Sequence, residues 1–339
     1  MESADFSIVH VHPTLSCNLR CRHCYSSSSP GEKAGLRSGE VVAYLQYLRE
    51  VHGFNVLSVS GGEPFLYTEL NELLEGARKL GYHNQVVSNG MLLKSRRSEK
   101  TLNYIDSVAV SVDGDRELHN ALRDSTTAYD RMLEGLSVLR ETGMPFGLIH
   151  TLTKKSWRLI PRLVELATAQ GAGLLQLHPL EAAGRATTEV NDTLFLDQAD
   201  LHRVFILATI IRDTVTDLKV QLDLVHQDYL VDHPEMVHAG EPVPAAVRDV
   251  FREIIITETG DVLPISYGFS PDYLIDTIHS GRSRTTDPVG EFLRERGPAL
   301  RALINRTYDR MVTAKDEALF NWSERIVRES HGFAPAALV

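Results

Sequence analysis

At 339 residues with 43% hydrophobic side chains, the chain is long enough for one large α/β domain carrying a smaller appended one. The formal charge is −10, from 45 acidic against 35 basic residues with no long basic run, which disfavours a nucleic-acid backbone as the main partner. The start, MESADFSIVHVHP, has neither the basic opening nor the apolar core of a signal peptide, and no run of about 18 apolar residues could span a bilayer. The expectation is a cytoplasmic protein with no membrane partner.

In chain order, strands are predicted over 7–13, 55–60, 84–89, 107–114, 146–153 and 173–179. Helical patterns over 39–51, 69–80, 129–142 and 158–171 lie between them, and Met132, Leu136 and Leu139 mark one buried helix face. Such alternation implies parallel strands joined by right-handed crossovers. Periodicity alone leaves an open doubly wound sheet and a partial barrel equally admissible. After about residue 184 the rhythm changes. AGRATTEVNDT reads as a polar loop, 196–218 as one long helix, VQLDLV as a short strand and 251–265 as two strands turning at Thr259-Gly260-Asp261. Helical pattern is predicted from Asp287 to Glu329.

Cys17, Cys21 and Cys24 are the chain's three cysteines, spaced C-x3-C-x2-C just after the first strand. An odd count at local spacing fits disulfide pairing poorly. Three thiolates suit metal, yet they leave a tetrahedral or cubane site one ligand short. One completion is a zinc site with His12 or His23 as fourth ligand, in a binding module without catalysis. The other leaves an iron of a cubane open to something other than protein.

The second completion resembles the radical S-adenosylmethionine (radical SAM) superfamily, whose signature is this cysteine spacing with an aromatic residue before the last cysteine. Here His23 stands at that position and Tyr25 follows Cys24. Further motifs follow in order. GGEP (Gly61, Gly62, Glu63, Pro64) ends the second strand, and VVSNG (Ser88, Asn89) ends the third. VSVDG with HNALRD (Ser111, Asp113, Arg123) follows the fourth, and LLQLHP (Gln176, His178) forms the sixth. The resemblance covers residues 7 to about 186. It implies a partial (β/α)6 TIM-like barrel over 1–184, one [4Fe-4S] cluster on the three cysteines and S-adenosylmethionine bound by the motif residues together with Tyr25. In the family, cleavage of that cofactor releases a 5′-deoxyadenosyl radical. Arg123 is expected to pair with the cofactor's carboxylate, and an electron donor such as flavodoxin or ferredoxin is implied. His178 and Asp113 are the candidate catalytic side chains.

Residues 185–339 resemble the SPASM/twitch-type C-terminal region of the peptide-maturing and coenzyme-forming branch, expected here to cap the barrel. No cysteine lies beyond Cys24 and Ile265 follows Pro264, so a thiolate-held auxiliary cluster is excluded. The branch implies a ribosomally made peptide as substrate. The alternative is a small biosynthetic intermediate such as a sugar nucleotide, an amino acid or a porphyrin-like precursor. With few residues before Cys17, no separate leader-binding domain is expected.

Overall fold

A computed structural model describes residues 6–33, 35–190, 192–237, 250, 252–279 and 287–332. The first half alternates as expected. Its elements are β1 (Ile8–Val11), α1 (Ser38–His52), β2 (Val56–Val59), α2 (Leu70–Lys79), β3 (His83–Ser88), α3 (Arg96–Leu102), β4 (Ser107–Ser111), α4 (Arg116–Leu122), α5 (Ala128–Thr142), β5 (Phe146–Leu152), α6 (Ile160–Gln170) and β6 (Leu174–Pro179). There follow α7 (Ala186–Glu189), α8 (Gln198–Thr214), β7 (Lys219–Leu222), β8 (Val225–His226), α9 (Gln227–Asp232), β9 (Glu253–Ile256), β10 (Asp261–Pro264) and β11 (Asp276–Thr277). The last are α10 (Pro288–Glu295), α11 (Gly297–Val312), β12 (Leu319–Phe320) and α12 (Trp322–Gly332). Phe251, placed by the sequence at the start of a strand, lies outside the described residues.

Ten strands form one sheet in the order β11-β10-β9-β1-β2-β3-β4-β5-β6-β7. From β9 to β7 every neighbouring pair is parallel, while β10 and β11 run antiparallel at one edge. The fold is α/β with a parallel sheet of the partial-barrel kind. Alternate residues of β4, β5 and β6 are buried (Val108 and Val110, Leu148 and Leu152, Leu175 and Leu177), and Met132, Leu136 and Leu139 of α5 are likewise buried in the same core. The opposite face is only half-buried and carries Ser111, Gln176 and His178.

Three expectations change. VQLDLV divides into β7, which extends the parallel sheet beside β6, and β8, which pairs with β12. The helical pattern expected from Asp287 to Glu329 is three helices, interrupted where Leu319 and Phe320 pair with β8; tertiary pairing outweighs local propensity there. The polar run AGRATTEVNDT, expected as a loop, includes the short helix α7; in α8, Val204, Ala208 and Ile211 are buried while Ile206 and Ile210 are more than half exposed.

Candidate cofactor site

The cysteines lie on the segment that leaves the carboxyl end of β1. Isolated bridges Thr14–Gly35 and Ser16–Ser29 fold that segment back on itself. The Cys17 N–H donates to Ser29 O at 3.3 Å, and the Cys24 N–H donates to Cys21 O at 3.3 Å. All three cysteines are half-buried residues. Burial pushes the Cys17 thiol up to about 11 and the Cys21 thiol up to about 12, and metal binding draws on their thiolate forms. His12 and His23 are engaged elsewhere, with Tyr25 Oη at 3.3 Å and with Asp113 at 3.4 Å. Among the described residues no set of three or more His, Cys, Asp or Glu side chains converges on a single ion. A cubane spreads its ligands over separate irons and does not require that convergence.

GGEP meets this loop directly. A Cβ at Gly62 would overlap the backbone of Leu15 and Ser16, so only glycine fits. The Gly62 N–H donates to Thr14 O at 2.7 Å, and the Glu63 N–H donates to Ser16 O at 2.9 Å. The close approach at Gly62 is thus between two backbone segments of the chain. Glu63 is fully buried, and burial raises its carboxyl. It accepts from Ser88 Oγ (2.9 Å), the Asn89 N–H (2.9 Å) and the Phe65 N–H (3.2 Å), which locks the ends of β2 and β3 together. Pro64 opens the single 3-10 turn that follows. Asn89 Nδ2 donates to Asn18 Oδ1 at 2.8 Å and so reaches the cysteine loop from the other side.

The end of β4 adds a buried charge pair. Asp115 caps α4 by accepting from the Leu118 N–H, and this short helix delivers Arg123 at its end. Arg123 Nε donates to Asp113 Oδ2 at 2.7 Å, with both side chains almost wholly buried. Burial alone would raise the Asp113 carboxyl, but Arg123 and His23 hold it well below the usual carboxylate range. Arg123 is raised in turn by Asp113 and by Cys21 and Cys17, against its burial. His23 Nδ1 and His150 Nε2 are buried without a protein partner.

Residues 11–167 match the Radical SAM superfamily. The chain carries a radical SAM domain. The superfamily is one of enzymes whose cofactors are a [4Fe-4S] cluster and S-adenosylmethionine. Over 194 residues the chain is 32% identical to the Fe-coproporphyrin III synthase of Methanosarcina barkeri, covering 57% of this chain and 48% of that protein. It spans about half the length of the curated relatives it matches. Its fold is similar to that of Streptococcus suis SuiB bound to precursor peptide SuiA, with TM-score 0.61, 20% identity and coverage of 77% and 60%. It is also similar to anSMEcpe with bound AdoMet, with TM-score 0.62, 16% identity and coverage of 97% of each chain.

The radical SAM cofactors fit this site. Three half-buried cysteines on one loop leave a cubane one open iron, and His23 of that loop, beside Asp113, keeps a buried Nδ1 with no protein partner. Further along the sheet, His178 is held between two carboxylates. Its Nδ1 lies 2.9 Å from Asp223 Oδ2 and its Nε2 3.1 Å from Glu181 Oε1. Burial would lower this imidazole, but the two carboxylates push it up to about 10. Gln176 Nε2 donates to the same Asp223 oxygen at 2.6 Å. Gln176 and His178 thus form one network that is separate, in its hydrogen bonds, from the cysteine loop. Ser111 ends β4 on the same half-buried face.

Tyr25 lies against His12 and Tyr267, at ring-centroid distances of 5.6 and 5.3 Å, and Tyr267 stacks on His12 at 4.5 Å. Tyr267 follows Ile265, whose φ of +69° is unusual for a β-branched residue and turns the chain after β10. His226, in contrast, caps α9 and stands beside Phe205. Sequence reasoning did not single out Asp223 or Arg185. Asp223 sits between two short strands and Arg185 in a polar run, with no spacing that marks either.

Proposed function

We propose that the protein is a radical SAM enzyme that acts on a ribosomally made peptide. One observation carries the enzymatic reading: the three half-buried cysteines that follow β1 and the buried Arg123–Asp113 pair that follows β4 stand at carboxyl ends of the same parallel sheet, linked by His23 of the cysteine loop beside Asp113, where α/β proteins gather their chemistry. The cluster and S-adenosylmethionine, when bound, supply the 5′-deoxyadenosyl radical that abstracts hydrogen from the substrate. The chain's own part is to bind and orient. Cys17, Cys21 and Cys24 hold the cluster. Glu63 fixes the β2 and β3 ends, and Arg123 presents its guanidinium, with Nε committed to Asp113, toward an anionic group of the cofactor. Ser111 and Tyr25 complete the set of residues assigned to the cofactor. Residues 185–339 cap the barrel, and electrons come from a small donor such as flavodoxin or ferredoxin.

Two features support a peptide over a porphyrin-like precursor. The fold resembles that of SuiB, which binds a precursor peptide. The wall formed by β6 and its neighbours sets the Glu181 and Asp223 carboxylates on either side of the His178 imidazolium, a local balance that favours a neutral or cationic segment over a polycarboxylate. The resemblance to Fe-coproporphyrin III synthase favours the second reading, a small-molecule precursor.

The test is anaerobic reconstitution followed by incubation with S-adenosylmethionine and dithionite. About four irons per chain and formation of 5′-deoxyadenosine are expected. Replacing Cys17, Cys21 and Cys24 together by alanine should abolish both, and a wild-type protein that held zinc alone would refute the enzymatic reading. Mass spectrometry after incubation with a candidate precursor peptide or with iron coproporphyrin III then separates the two substrate classes.

A further inference from the structure

The segment after β6 forms a second wall of the cysteine loop. Gly184 comes so near that a Cβ on it would overlap the carbonyl oxygens of Cys24 and Tyr25. The next residue, Arg185, is 7% exposed, and its backbone N–H donates to Cys24 O at 3.0 Å. Its guanidinium spans the remainder of the loop. Nε donates to Cys21 O at 2.9 Å, Nη1 to Ser27 O at 2.7 Å and Nη2 to Ser28 O at 2.5 Å. From the loop side, Arg20 forks onto the Glu189 carboxylate at the end of α7.

The chemistry of these contacts is specific to arginine. A planar fork of five donors can meet three carbonyls that point in different directions, whereas a lysine ammonium offers the charge without the spread. Burying a guanidinium is costly unless its donors are met, and here the acceptors are backbone carbonyls of the loop rather than a carboxylate. Two of the four carbonyls held by Arg185 belong to Cys21 and Cys24. Whatever fixes those peptide groups also fixes the directions of the thiols they carry.

We propose that Arg185 is a positioning residue for the cluster, which with Gly184 and Glu189 holds the three-cysteine loop in the form that accepts it. This rests on the reading of Cys17, Cys21 and Cys24 as cluster ligands. Arg185 acts through the backbone of the ligands, as outer-shell partners do, and losing such a partner costs about 10- to 100-fold in metal affinity.

The experiment compares full-length wild type with Arg185→Lys, Arg185→Met and the control Arg78→Lys, each reconstituted anaerobically. Arg78 also binds a carbonyl and a carboxylate, Asn103 O and Asp106, but at the amino ends of the strands. Iron released to a chelator is followed together with loss of the cluster absorption. Arg185→Lys should release iron about tenfold faster or more, with Arg185→Met at least as fast and the control unchanged. A second readout uses no metal: in the apo-protein, amide hydrogen exchange across residues 20–29 should quicken in Arg185→Lys while α5 keeps its wild-type rates. Wild-type iron release and wild-type loop exchange in a folded Arg185→Lys would overturn the proposal. Should Arg185→Met not fold by circular dichroism, Glu189→Gln takes its place; it breaks only the surface fork and should speed release by less than Arg185→Lys, and no change in either variant defeats the clasp. A wild type that binds no iron removes the cysteine assignment instead, and the exchange arm then decides whether Arg185 orders the loop.

Discussion

A charge pair buried as completely as Asp113 and Arg123 is costlier to halve than to remove. Asp113→Ala leaves a guanidinium without its carboxylate in a site that excludes water, which costs about 3–5 kcal/mol of stability. Replacing both, as in Asp113→Ala with Arg123→Met, should recover part of that loss. Urea denaturation of the apo-proteins checks this, and a single variant as stable as wild type would mean that the pair is not coupled. The family resemblance places both residues at the cofactor, and their burial, which the motif cannot reveal, adds a cost in folding to any loss of cofactor binding. The pH dependence has a definite sign at His178. Its folded value of about 10 lies above the unfolded 6.5, so its contribution is complete below pH 6.5 and is lost as pH rises toward 10. Melting temperature should therefore fall across that window in wild type, and His178→Gln should flatten the fall. Parallel curves for the two proteins would show that the imidazolium between Asp223 and Glu181 adds nothing to the fold.

Among the elements, the turn after β2 constrains the site most tightly. Gly62→Ala puts a methyl group into the backbone of Leu15 and Ser16, where no flexible side chain can yield, so the GGEP turn and the cysteine loop must separate. The variant should fold less stably and bind little iron. Gly39→Ala in α1 meets open space and should instead stabilise by about 0.5–1 kcal/mol, as expected for alanine in a helix. Thermal melts and iron content of the two variants test this contrast; iron binding by Gly62→Ala equal to wild type would mean that the loop does not depend on the crossing. The elements β1 to β6 and α1, α2, α5 and α6 were legible because each carries its own period, two for strands and 3.6 for helices. What a strand pairs with has no local signature. Hence β7 and β9 were visible as short apolar runs, but their places beside β6 and β1 were not. The clasp of Arg185 on the cysteine loop, more than 150 residues away in sequence, was hidden for the same reason.

At the scale of the whole molecule, the second half of the chain completes the sheet that carries the site. β9 pairs along the full length of β1, from Ile8 with Glu253 to Val11 with Ile256, and its Ile254, Ile255 and Ile256 are buried. The His12 N–H, at the point where the chain turns toward the cysteines, donates to Ile256 O at 2.9 Å. A chain ending at Thr187 would therefore leave β1 as an open edge, with unpaired backbone groups and an exposed apolar face directly beneath the cysteine loop. It would also lose the Glu189 end of the clasp. At about 25 cal/mol per Å² of apolar area, exposing several hundred Å² removes an amount comparable with the whole stability of a domain. We expect this truncation to be insoluble, or soluble without iron, when expressed and reconstituted beside the full chain. Each outcome is measured by the soluble fraction and by iron per polypeptide. A soluble truncation that held a full cluster and still formed 5′-deoxyadenosine would show that the first 187 residues are self-sufficient, and residues 185–339 would then be an appendage rather than the cap of the barrel.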